Sequence, residues 1–192
     1  MKQYLNTFFI LVLLGLTGCD ESEKSRALHV ERGTHFQGRD CLGCHNFDLK
    51  PDKHLRVATT LFKSPTPSDI DNLDETCNVD AAIEFIDSDS NLIYSTAEYY
   101  DVNSAGNRGQ GNIFLLDRLF DSTLNGNYTI QIVERTTGML LAKSSSNTHS
   151  FNGNDYSLSN PANDENRLSC NACHNIGRTS YLYVQFNTNL CN

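Results

Sequence analysis

An antiparallel β-sandwich of six to seven short strands, flanked by two cysteine-rich segments, is the fold class this sequence predicts. Three observations predict it. Between residues 55 and 186 apolar and polar residues alternate with period two, the signature of strands with one buried face. Clusters of Asp, Ser, Asn, Thr and Gly punctuate the alternation at short intervals, as turns do. No stretch carries a helical apolar stripe.

Taken in order, Leu55 to Phe62 (Leu-Arg-Val-Ala-Thr-Thr-Leu-Phe) reads as the first strand. Ala81 to Ile86 is the second, closed by the turn Asp87-Ser88-Asp89-Ser90-Asn91, and Leu92 to Thr96 returns as the third. That acidic turn is a poor calcium loop, since Leu92 occupies the sixth position, where an EF-hand needs glycine. Asn112 to Leu116, Tyr128 to Glu134 and Met139 to Lys143 are further strands, with Asn125-Gly126-Asn127 and Thr136-Thr137-Gly138 as turns. Tyr181 to Phe186 alternates once more. The polar stretches Ser144 to Thr148 and Asn152 to Asn166 read as surface loops. The strand order, the acidic hairpin and the Tyr-Thr-Ile-Gln-Ile-Val strand resemble small transthyretin-like or carboxypeptidase-regulatory-like sandwiches. That likeness is one of architecture and implies no activity.

Chemistry is carried by two pentapeptides, Cys41-Leu42-Gly43-Cys44-His45 and Cys170-Asn171-Ala172-Cys173-His174, each followed by asparagine (Asn46, Asn175). C-x-x-C-H is the pattern of covalent haem attachment. Two thiols spaced to reach both vinyl groups hold the porphyrin, and the adjacent imidazole becomes the proximal iron ligand. On these two motifs the chain resembles c-type cytochromes, which implies two covalently bound haems c with His45 and His174 as proximal ligands. Paired C-x-x-C spacings also build zinc sites and disulfides, so the pentapeptides alone leave those readings open.

The N-terminus bears on that choice. Lys2 precedes an apolar run from Tyr4 to Leu16, short for a membrane span and right for an export signal. The run ends in Leu16-Thr17-Gly18-Cys19, which resembles the lipobox of bacterial lipoproteins. Residues 1–18 are then a cleaved signal, Cys19 is lipidated, and 19–39 form a charged tether to a domain spanning 40–192. The alternatives are a plain cleaved signal or an uncleaved anchor. Lipid would anchor the protein stably, with Asp20 favouring the periplasmic face of the inner membrane over the outer membrane. Export places the chain where haem is ligated, which weighs for haem over zinc.

Of seven cysteines, lipid and haem account for five, leaving Cys77 and Cys191. In an oxidising compartment two leftover thiols pair, and a bridge closing so long a loop is worth ~4 kcal/mol. The formal charge of −8 falls to −9 when Lys2 leaves with the signal. That excludes nucleic acid as a partner and favours a basic redox protein.

A six-coordinate electron-transfer haem needs a sixth ligand from histidine or methionine. Met139 lies in an apolar stretch and reads as core filling. His29 sits in the charged tether, leaving His35, His54 and His149 as candidate distal ligands, unassigned to either haem. The expected function is that of a one-electron carrier in a respiratory or extracellular electron-transfer chain, not an enzyme, able to assemble with other cytochromes. The alternatives are a haem enzyme or gas sensor with an open sixth site, and a docking subunit wired by its haems. Dihaem peroxidases are larger and mostly helical, which speaks against that family. A sandwich can bring the two motifs together, whereas an odd number of strands tends to leave the chain ends at opposite poles.

Overall fold

A computed structural model describes residues 36–99, 111–146 and 148–191. Within them the chain is mainly β, with seven strands in two antiparallel sheets. The smaller sheet pairs β1 (Leu55–Thr60) with β4 (Asn112–Leu116). The larger contains β2 (Ala81–Ile86), β3 (Leu92–Ser95), β5 (Asn125–Glu134), β6 (Leu140–Lys143) and β7 (His149–Asn152). Its strand order is β3-β2-β5-β6, and β7 also pairs with β5. Two short helices, α1 (Cys41–His45) and α2 (Cys170–Cys173), pack against β1.

Both sheets contribute to one apolar cluster. Leu55, Val57, Ile113 and Leu115 come from the first, and Ile83, Phe85, Ile132 and Leu141 from the second. Phe85 is the hub of the aromatic part, meeting Tyr94, Tyr128 and Phe151 at 5.7–6.3 Å in edge-to-face contacts, the geometry that the ring quadrupole favours. With no tryptophan in the chain, these rings supply the bulk.

Six expected strands form, four of them with shifted ends. The turn expected at Asn125-Gly126-Asn127 is instead the start of β5, paired through Asn125↔Asn152 and Tyr128↔His149. Its partner β7 falls in what reads as loop, because His-Ser-Phe-Asn carries a single apolar anchor, the buried Phe151. Tyr181 to Phe186 alternates but is no strand. Its backbone bonds are divided between sheets, with Phe62 N donating to Leu182 O, Val184 N to Phe62 O, and Gln185 N to Leu141 O. It is a strap that ties β1's extension to β6. Met139 is not core filling: it sits at the β5–β6 turn, 39% exposed.

Cys77 and Cys191 form the expected disulfide, 114 residues apart. Cys77 N donates to Leu61 O, so the bridge fastens the C-terminus just beyond β1. The body also starts earlier than the expected boundary at residue 40. Gln37 and Gly38 are buried, and Gly38 N donates to Thr60 Oγ1 at 2.9 Å. Gly38 has φ +69°, and a Cβ there would press on the Phe62 and Tyr181 rings at 3.0 Å; glycine alone suits both demands.

Candidate haem-attachment site

Each C-x-x-C-H segment becomes one helical turn. In α1, Asp40 is the N-cap, its Oδ1 accepting from Gly43 N at 3.3 Å. In α2, Ser169 is the N-cap, and its Oγ donates to the same Asp40 Oδ1 at 2.5 Å. Tyr156 donates its hydroxyl to Asp40 Oδ2, and burial together with that bond pushes its phenol up. The two motifs, 129 residues apart at their caps, therefore meet cap to cap. Backbone bonds to β1 hold the arrangement, with Ala58 N donating to Leu168 O at 3.3 Å and Ala58 bridging Ser169.

Asn171, the first spacer residue of the second motif, fastens the pair. Its Oδ1 accepts from Thr60 N and Thr59 Oγ1, each at 3.2 Å, and its Nδ2 donates to Arg39 O at 2.8 Å. The same Nδ2 lies 3.8 Å from Cys41 Sγ. Nothing in the pentapeptide pattern marks this residue, because the pattern treats it as a spacer.

Cys41 and Cys170 lie close enough to interact electrostatically. Burial pushes both thiols up to about 12, so neither is a thiolate at neutral pH. Cys44 is disulfide-bonded. A sulfur cannot hold a disulfide and a thioether together, so attachment at Cys44 requires its reduced form.

The two motif histidines share one arrangement. His45 Nδ1 lies 2.8 Å from Lys53 O, and His174 Nδ1 lies 3.2 Å from Ser180 O. A carbonyl only accepts, so Nδ1 carries the proton in both rings and Nε2 carries the lone pair. This is the tautomer a metal-binding imidazole needs, with the backbone carbonyl orienting the ring. Burial, the largest influence, holds both below the ordinary imidazole range and so favours the neutral form. One residue further on, past Asn46 and Asn175, stand two apolar side chains, Phe47 at 50% and Ile176 at 85% exposure, open surface that a flat apolar macrocycle would cover. The residues present fit one haem at each motif.

The asparagines after the histidines do different work. Asn46 clamps Leu55 from both sides, donating to its carbonyl at 2.9 Å and accepting from its N–H at 2.8 Å. Asn175 closes α2 by donating to Asn171 O and Ala172 O.

The structure brings some candidate ligands to the motifs and not others. His149 lies beside His174, ring centres 6.4 Å apart. Burial, then Arg167, then His174, take its pKa down to about 4. His54 sits near His45, but its Nε2 is engaged by Leu49 O at 3.2 Å. Cys19, His29 and His35 lie outside the described residues. No family model, curated protein or solved structure matches the chain.

Proposed function

We propose that this protein is a dihaem cytochrome c of the cell envelope, anchored through Cys19, that carries single electrons between redox partners. The observation that carries this reading is the paired arrangement of two C-x-x-C-H turns, cap to cap on β1, each with its histidine in the iron-binding tautomer. Bound haem supplies a one-electron couple. The chain's share is to hold, orient and shield it. Cys41 with Cys44, and Cys170 with Cys173, would each hold one haem, and His45 and His174 would present Nε2. The carbonyls of Lys53 and Ser180 fix the ring orientations and raise ligand basicity.

Electrostatic proximity of Cys41 and Cys170, the first thiols of both motifs, favours haems close enough to exchange electrons rapidly. The net acidic surface suits a basic redox partner and repels nucleic acid. Assembly with further cytochromes would extend the same path.

The test is the intact mass after expression with haem-ligation machinery, together with circular dichroism in the Soret region. Two haems per chain and an exciton-type couplet are expected. Cys44→Ala and Cys173→Ala should each weaken attachment of one haem. A mass equal to the bare polypeptide overturns the haem reading, and two independent haem spectra overturn the close pair.

A further inference from the structure

His149 opens β7 and is held by the Tyr128↔His149 pairing with β5, so its ring position is set by a sheet. Its ring lies parallel to that of His174, with 10° between planes and 6.4 Å between centres. A metal–imidazole bond of about 2 Å, plus about 1 Å from nitrogen to ring centre, taken on both sides, separates two axial imidazoles by roughly 6 Å. The observed spacing matches that expected for two axial rings on one metal ion.

The hydrogen bonds agree. Thr148 donates its hydroxyl proton to Ser145 O at 3.0 Å. That proton is the only one the hydroxyl has. In its 3.2 Å contact with His149 Nδ1, Thr148 Oγ1 must therefore accept. His149 thus carries its proton on Nδ1 and its lone pair on Nε2, as His174 does through Ser180 O. Among the described residues the other candidates lack this combination: His54 spends Nε2 on Leu49 O, and Met139 sits on an exposed turn.

We propose that His149 is the sixth ligand of the iron held at Cys170, Cys173 and His174. The proposal rests on the haem reading above and names the residue that closes the second site. It makes that site six-coordinate, suited to electron transfer and closed to small gases.

The experiment compares the full-length, haem-loaded wild type with H149A and H149M, by intact mass, carbon monoxide difference spectra and redox titration. In H149A both haems stay attached, and carbon monoxide uptake rises by one haem per chain over the wild type. Added imidazole reverses that gain. In H149M uptake stays at the wild-type level, and one midpoint potential moves upward, because a thioether ligand favours the reduced iron. If H149A takes up no more gas than the wild type, His149 is not a ligand. Should H149A accumulate poorly, H149M decides, and an unmoved potential overturns the proposal. Failure of the underlying haem reading shows separately, as wild type at bare polypeptide mass.

Discussion

Asn171 bonds three backbone or hydroxyl groups of two segments far from it in sequence: Thr59, Thr60 and Arg39. Replacing it with leucine keeps the forked outline but leaves the buried Thr60 N–H and the part-buried Arg39 C=O without that partner. Stranding buried polar groups costs about 1–3 kcal/mol apiece, so Asn171→Leu should lose roughly 2–4 kcal/mol by urea titration. A midpoint equal to wild type would show that Asn171 does not fasten the motifs. At this scale the sequence is uneven in what it discloses. The thiols and histidines stand out because their spacing is chemistry. Asn171 does not, because its worth depends on β1, about 110 residues away. His149 is visible as a spare imidazole, yet its place beside His174 depends on a strand pairing that its own four residues barely encode.

Two hairpins turn on carboxylates. Asp87 accepts from Asp89 N, Asn91 N and Asn91 Nδ2 in the β2–β3 turn. Glu134 accepts from Thr137 Oγ1, Thr137 N and Thr136 N in the β5–β6 turn. The Asn91 side chain and the Thr137 hydroxyl, respectively, do most to hold them below the usual carboxylate range. A carboxylate depressed in the fold contributes stability above its unfolded value, near 4.5 for Glu134, and loses it as pH falls through the lower, folded value. Thermal stability should therefore drop on acidification from pH 6 toward 3, and Glu134→Gln should flatten that drop. An identical pH profile in the variant would remove Glu134 as a contributor. These turns are legible because the donors and acceptors are local. The start of β5, β7 and the 181–186 strap are not, since each owes its state to a partner strand elsewhere. Alternation announces extended backbone; it does not say how many partners share it.

For the whole molecule, six of the seven strands and the Cys77–Cys191 bridge follow from pattern and cysteine arithmetic. The relative position of the two motifs does not. An odd strand number argues for separated ends, and the structure does the opposite. The returning chain runs back to β1 and sets Leu168 and Ser169 beside Ala58. Closure over so long a loop costs only slowly growing entropy, and the disulfide beyond β1 offsets about 4–5 kcal/mol of it.

The partly buried placement of Cys41 and Cys170, with their thiols held protonated, has a consequence for the order of assembly. A thiol shielded between packed elements and kept protonated is a poor nucleophile. On the haem reading, thioether bonds at these two sulfurs would form on an open chain, and closing of the second motif onto β1 would follow attachment. On the same reading, export in an unfolded state would leave an interval for this. In the chain without haem, alkylation of Cys41 and Cys170 should be slow in native buffer and fast in urea. Rapid labelling of both without denaturant would mean that the folded protein can still receive its cofactors. Otherwise the fold would act as a deadline for haem loading, and a chain that closed before it was loaded would stay empty.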